Sequence, residues 1–98
     1  MHNNMESLAL LTQKLVFVVE AEIEADRPSA PAWMVPEGER VLENAKTLFH
    51  AVKLGSEKEL LCSGSVIQFL GESWLNCHGK AYTEAENLEI FLRKTNAT

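Results

Sequence analysis

Residues 56–79 read SEKELLCSGSVIQFLGESWLNCHG, and the reading of this stretch decides the fold. Its apolar residues come in doublets, Leu60-Leu61, Val66-Ile67, Phe69-Leu70 and Trp74-Leu75, which do not alternate as a half-buried strand would. Leu60, Ile67 and Trp74 recur every seven positions, about two helical turns. Ser56 with Glu59 has the form of a capping box that opens the segment, and Gly79 fits its end. Against a helix stand Gly64 and Gly71, each costing about 1 kcal/mol relative to alanine in a helix interior. The pattern predicts one helix over 57–78, with Gly64 and Gly71 forming a smooth strip for close packing against another helix. The alternative is a break near Ser63-Gly64-Ser65, or an α+β fold with a short strand pair within 65–82.

Outward from this stretch the helical pattern continues. Leu8, Leu11, Leu15, Val18, Val19 and Ile23 predict a helix over 4–26, with Asn3 or Asn4 and Glu6 at its start. Leu10, Val16 and Phe17 widen its stripe beyond one face, so this helix is central or is covered by a second chain. Val41, Ala45, Leu48 and Val52, flanked by Leu42 and Phe49, predict a helix over 36–54 that starts on Pro36 and stops at Gly55. Glu37 and Glu39 suit the positive end of its dipole. Thr83 with Glu86 forms a second capping box, and Leu88, Phe91 and Leu92 give a last helix over 84–94 a buried face. The expected fold is all-α: one helical domain over 1–98, a four-helix antiparallel bundle with a long proline-flanked loop between helices 1 and 2.

Composition limits the function. With 46% hydrophobic and 23% charged residues the chain has a globular balance. Its longest apolar run, Leu15–Val19, is far too short for a bilayer. No Lys or Arg precedes the first apolar stretch and no small-residue cleavage site follows it, which argues against a secretory signal. Two cysteines make no disulfide framework, so a reduced, cytoplasmic location is expected. The net charge of −5, without a basic patch, disfavours nucleic acid as a partner.

Two features suggest contact with another protein. The segment SAPAWMVPEGER, residues 29–40, sets Trp33, Met34 and Val35 between Pro31 and Pro36. A connection of about nine residues spans roughly 30 Å at about 3.3 Å per residue. Its Trp either plugs the open end of the core or anchors a partner. The ladder Glu20, Glu22, Glu24 and Asp26 ends the first helix at the wrong pole of its dipole, as a solvated face or an acidic contact patch.

Chemistry finds less support. Cys62 and Cys77 lie fifteen positions apart, about 22 Å along a continuous helix at 1.5 Å per residue, too far to share a metal or a disulfide. Cys77 and His78 point to different sides of such a helix, and His50 sits on the flank of an apolar face. There is no phosphate-binding glycine loop, GxSxG, HExxH or paired CxxC. The sequence therefore points to a small acidic interaction or regulatory module (adaptor, inhibitor or regulatory subunit). It has no catalytic residue, metal or cofactor, and it pairs with another protein and with itself as a homodimer. Its expected contacts are Trp33, Met34, Val35, Glu20, Glu24 and Asp26. The alternative is a small-molecule or metal-binding protein with a core lined by Cys62, His50, Trp74 and Cys77.

Overall fold

The computed structural model describes the backbone of residues 4–96 and the side chains of residues 7–94. Among these residues there are six helices and no strand: α1 (Asn4–Asp26), α2 (Met34–Leu54), α3 (Glu57–Leu61), α4 (Val66–Leu70), α5 (Glu72–Leu75) and α6 (Gly79–Asn96). The fold is all-α, and the strand pair considered for 65–82 does not form. Asn3 and the Glu6 side chain, proposed to start the first helix, lie outside the described residues.

Helix α1 buries Leu8, Thr12, Leu15, Val19 and Ile23 along one line. Thr12 is admitted to this line because its hydroxyl donates to the carbonyl of Leu8, one turn back. Helix α2 buries Val41, Ala45, Leu48 and Val52, the expected set, together with Gly38 and Ala51. Gly55 closes it at φ 75°, a left-handed conformation that suits glycine. Ser56 then donates its N–H to Ala51 across 2.8 Å. Ser56 thus completes the end of α2, and its side chain makes no capping bond to α3.

Two further boundaries differ from expectation. Helix α2 begins at Met34, so Pro36 is its third residue, where a missing N–H costs nothing because the first turn has no intrahelical acceptor. The connection shrinks to Arg27–Trp33 and is itself ordered, with the N–H groups of Ser29 and Ala30 bonded to the Asp26 carbonyl at 3.2 and 2.9 Å. Helix α6 begins at Gly79 instead of residue 84. Thr83 lies inside it and bonds back to Gly79 O at 2.9 Å, so no second capping box exists.

The predicted helix over 57–78 is replaced by three short ones, and a four-helix count does not describe the chain. Cys62 and Ser63 take left-handed φ values of 51° and 65°, and Gly71 takes 136°. The breaks are held by side chains from α6 and α2 and by Ser65 of the segment itself. Glu89 of α6 accepts the Val66 N–H at 3.1 Å, and Ser65 accepts that of Gln68 at 3.0 Å, so two free donors at the start of α4 are bonded. At its far end, Asn44 Nδ2 of α2 donates to the carbonyls of Phe69 and Leu70 at 3.2 and 3.0 Å. Breaking the segment turns Val66, Leu70, Trp74 and Leu75 all into the core.

Helices α1 and α2 form a hairpin, and α6 returns along the other side of α1. The α1–α6 seam runs from Asp26 and His78 at one end to a Lys14–Glu84 ion pair of 3.5 Å near the middle. The short helices α4 and α5 fill the space between α2 and α6.

Candidate functional site

The acidic ladder at the end of α1 divides in the folded chain. Asp26 turns inward, and its Oδ2 lies 2.6 Å from Nε2 of His78, whose side chain is only 4% exposed. The other ring nitrogen, Nδ1, lies 2.8 Å from the carbonyl of Trp74, which can only accept, so Nδ1 carries a proton. The second contact shares one proton between imidazole and carboxyl. With both nitrogens engaged, the ring has no lone pair left for a metal or a substrate. This is a clip that fastens α1 to the corner between α5 and α6. It also places a cationic or hydrogen-bonding partner at the negative end of the α1 dipole, where a lone carboxylate is unfavourable. Asp26, read from the sequence as a contact beside Glu20 and Glu24, is thus engaged by His78, with 18% of its side chain exposed.

Below the clip, His78 stacks on the indole of Trp74 with ring centroids 3.7 Å apart and planes 12° apart. Trp74 is fully buried, and its Nε1 has no hydrogen-bond partner. The indole also packs against Gly38 of α2, where a Cβ would sit 2.7 Å from Nε1. Gly38 is thus the glycine on which the central packing turns. Gly71 also faces another helix, with its would-be Cβ 2.9 Å from Val41 Cγ2 of α2, but it does so as the joint between α4 and α5. Gly64 lies in the turn after α3, backed only by its own segment at Leu61 O.

Glu20 and Glu24 point outward and line a groove of about 490 Å³ between α1 and α2. Its accessible apolar surface is Ala21 and the half-buried Leu42, over the buried Ile23, and Glu39 of α2 lines it with the two α1 carboxylates. Arg27 crosses it, with Nε 2.8 Å from Glu24 Oε2 and Nη2 3.3 Å from Glu39 Oε2. The hydrogen bond to Glu24, then that to Glu39, raises the guanidinium pKa above its already high value. Glu20 makes no ion pair among the described residues.

Trp33 stands at the first turn of α2 with 48% of its surface exposed. Met34 and Val35 beside it are half-buried and pack against the core. The segment therefore splits between the two roles considered for it, two residues sealing the core and one facing water. Leu10 and Phe17, on the side of α1 opposite its buried line, are each 60% exposed. A second cleft, about 360 Å³, opens between α3 and α6 and is lined by Glu57, Lys58, Leu61, Val66, Glu89 and Arg93 among others. Glu89 is committed there to seating α4.

Cys62, His50, Trp74 and Cys77 do not line a common core. Both cysteines are free and exposed, His50 is exposed on α2, and only Trp74 is buried. Cys62 occupies the left-handed cap of α3 and Cys77 the turn after α5, positions where the chain leaves a helix and side chains project to water. Among the described residues no three His, Cys, Asp or Glu side chains are placed to share an ion, and no helix is long and apolar enough to cross a membrane.

Gly38, Asn44 and the roles of His78 and Glu89 were not found from sequence. Gly38 gave one signal, a glycine tolerated inside an otherwise strong helix at a cost of about 1 kcal/mol. Comparison with family models, curated proteins and solved structures gives no match to this chain.

Proposed function

We propose that this chain is a small, acidic, cytoplasmic protein-interaction module, an adaptor, inhibitor or regulatory subunit, without catalytic activity of its own. The observation that carries the reading is Trp33. Nearly half of this large side chain meets water, while the backbone beneath it is fixed by the packed Met34 and Val35 and by turn bonds such as Met34 N–H to Pro31 O at 3.0 Å. An aromatic anchor on rigid backbone loses little entropy on binding, and Trp is enriched among residues that dominate interfaces. Glu20 and Glu24, near the same end of the α1–α2 hairpin, supply the acidic part of the contact.

The module also pairs with itself as a homodimer. Leu10 and Phe17 support this part, since they give α1 a second pair of apolar side chains that no other helix covers among the described residues.

The test is affinity capture from host lysate with wild type and Trp33→Ala side by side, after both are shown to melt alike. The reading expects a protein held by wild type and lost by the variant. Equal capture by both, or none by either, refutes it. A monodisperse monomer by light scattering across a concentration series removes the homodimer.

A further inference from the structure

We propose that the groove between α1 and α2 receives an arginine side chain of a partner protein, flanked by an apolar residue, and that Arg27 is its resident placeholder. The proposal rests on the interaction reading above and names the chemistry of the partner at one surface. The groove has the two components such a side chain needs. Ala21 and the half-buried Leu42 offer apolar surface to a three-carbon stem, while Ile23 behind them is buried. Glu20, Glu24 and Glu39 offer carboxylates to a guanidinium.

Arg27 shows the chemistry in place. Its planar fork spans two carboxylates on different helices, using Nε and Nη2 on Oε2 of Glu24 and Oε2 of Glu39. A compact ammonium cannot bridge two carboxylates in one plane in this way, which favours arginine over lysine as the entering group. The groove is not neutralised by Arg27. Three carboxylates face one cation, Oε1 of Glu24 and of Glu39 is outside these bonds, and Glu20 has no ion pair among the described residues. Charge complementarity therefore selects a cationic occupant, and the apolar strip selects one with a hydrophobic neighbour.

Arg27 holds the site at little cost. Its side chain is 47% exposed, and those of Glu24 and Glu39 are 69% and 54% exposed, so an incoming guanidinium can share or displace it. A consequence follows that a merely structural ion pair would not give. Removing Arg27 vacates the groove, makes it more negative, and tightens binding of the external arginine.

The experiment is an NMR titration of the full 15N-labelled chain with N-acetyl-leucyl-arginine amide, with its lysine and citrulline counterparts as controls. We expect saturable shifts at the amides of 20–24 and 39–42, stronger for arginine than for lysine and absent for citrulline. Arg27→Ala should tighten the arginine dipeptide, and Glu39→Gln weaken it, each by about two- to fivefold, the range for an exposed ion pair. Glu20→Gln, on the exposed rim, should weaken it likewise without touching the Arg27 pairs. Absent or displaced shifts, equal response to citrulline or lysine, or binding no tighter in Arg27→Ala would each overturn the proposal. Concentration-dependent shifts in the same amides without peptide would overturn it too, by assigning the groove to Arg40 or Arg93 of a second copy. Trp33→Ala should leave the titration unchanged. If the titration fails while capture still depends on Trp33, this proposal falls and the interaction reading stands. If the titration succeeds and nothing is captured, the interaction reading falls.

Discussion

Replacing Gly38 by alanine should destabilise this protein, although helix propensity alone predicts the reverse. In the interior of α2 an alanine gains about 1 kcal/mol over glycine. The new methyl group, however, would stand 2.7 Å from Trp74 Nε1, 2.9 Å from Ile23 Cγ1 and 3.0 Å from Trp74 Cε2. Unstrained carbon contacts lie at about 3.5–4.0 Å, so α2 and the indole must part by roughly 1 Å. The indole cannot yield freely, because it is fully buried and stacked at 3.7 Å on His78, whose Nε2 is bonded to Asp26. Overpacking of this kind costs about 1–3 kcal/mol, and loosening the Asp26–His78 hydrogen bond adds about 1–2 kcal/mol. Net of the propensity gain, the expected loss is about 2 kcal/mol. For a chain of this size that lowers Tm by roughly 8–16 °C. Thermal and urea unfolding by far-UV circular dichroism would measure it, with near-UV signal reporting the Trp74 environment. Gly79→Ala is the control, since nothing lies within 4 Å of its would-be Cβ, and it should be neutral or raise Tm slightly. A Gly38→Ala protein that melts at or above wild type would refute the reasoning about the Trp74 contact.

Other substitutions test the joints and the clip. Gly71→Ala combines a φ of 136° with a 2.9 Å approach to Val41 and should cost about 3 kcal/mol in urea unfolding, against about 1 kcal/mol gained if the segment were plain helix. Asp26→Ala strands a buried His78 nitrogen and should cost about 1–3 kcal/mol, whereas Asp26→Asn keeps a hydrogen-bonding partner and should lose less; equal losses would argue against the clip. Ser65→Ala removes the acceptor for the Gln68 N–H and should cost about 1 kcal/mol. Ser63→Gly relieves a left-handed φ of 65° and should stabilise the chain by about 0.5–1 kcal/mol, read as a rise in Tm.

Sequence by itself determined what is local and periodic. The line Val41, Ala45, Leu48 and Val52 with a closing Gly55 specifies α2, because a 3.6-residue repeat can bury its apolar side only as a helix and glycine accepts the left-handed stop. The same logic gave α1 and the all-α class. Where expectation and structure part, the deciding partner is distant in sequence. Residues 57–78 carry enough helical spacing for one helix. Glu89 and Asn44, 23 and 25 residues from the groups they bond, satisfy the ends of α4 and so hold the segment broken. Asp26 reads as one more carboxylate in a solvated ladder until His78, 52 residues on, claims it. Trp33, Met34 and Val35 form one apolar run in the sequence, yet packing takes two and leaves one to water. Propensity and pattern describe a residue's cost in its own helix. Which buried donor, acceptor or ring face it must satisfy is set by the other helices, and only their packing decides it.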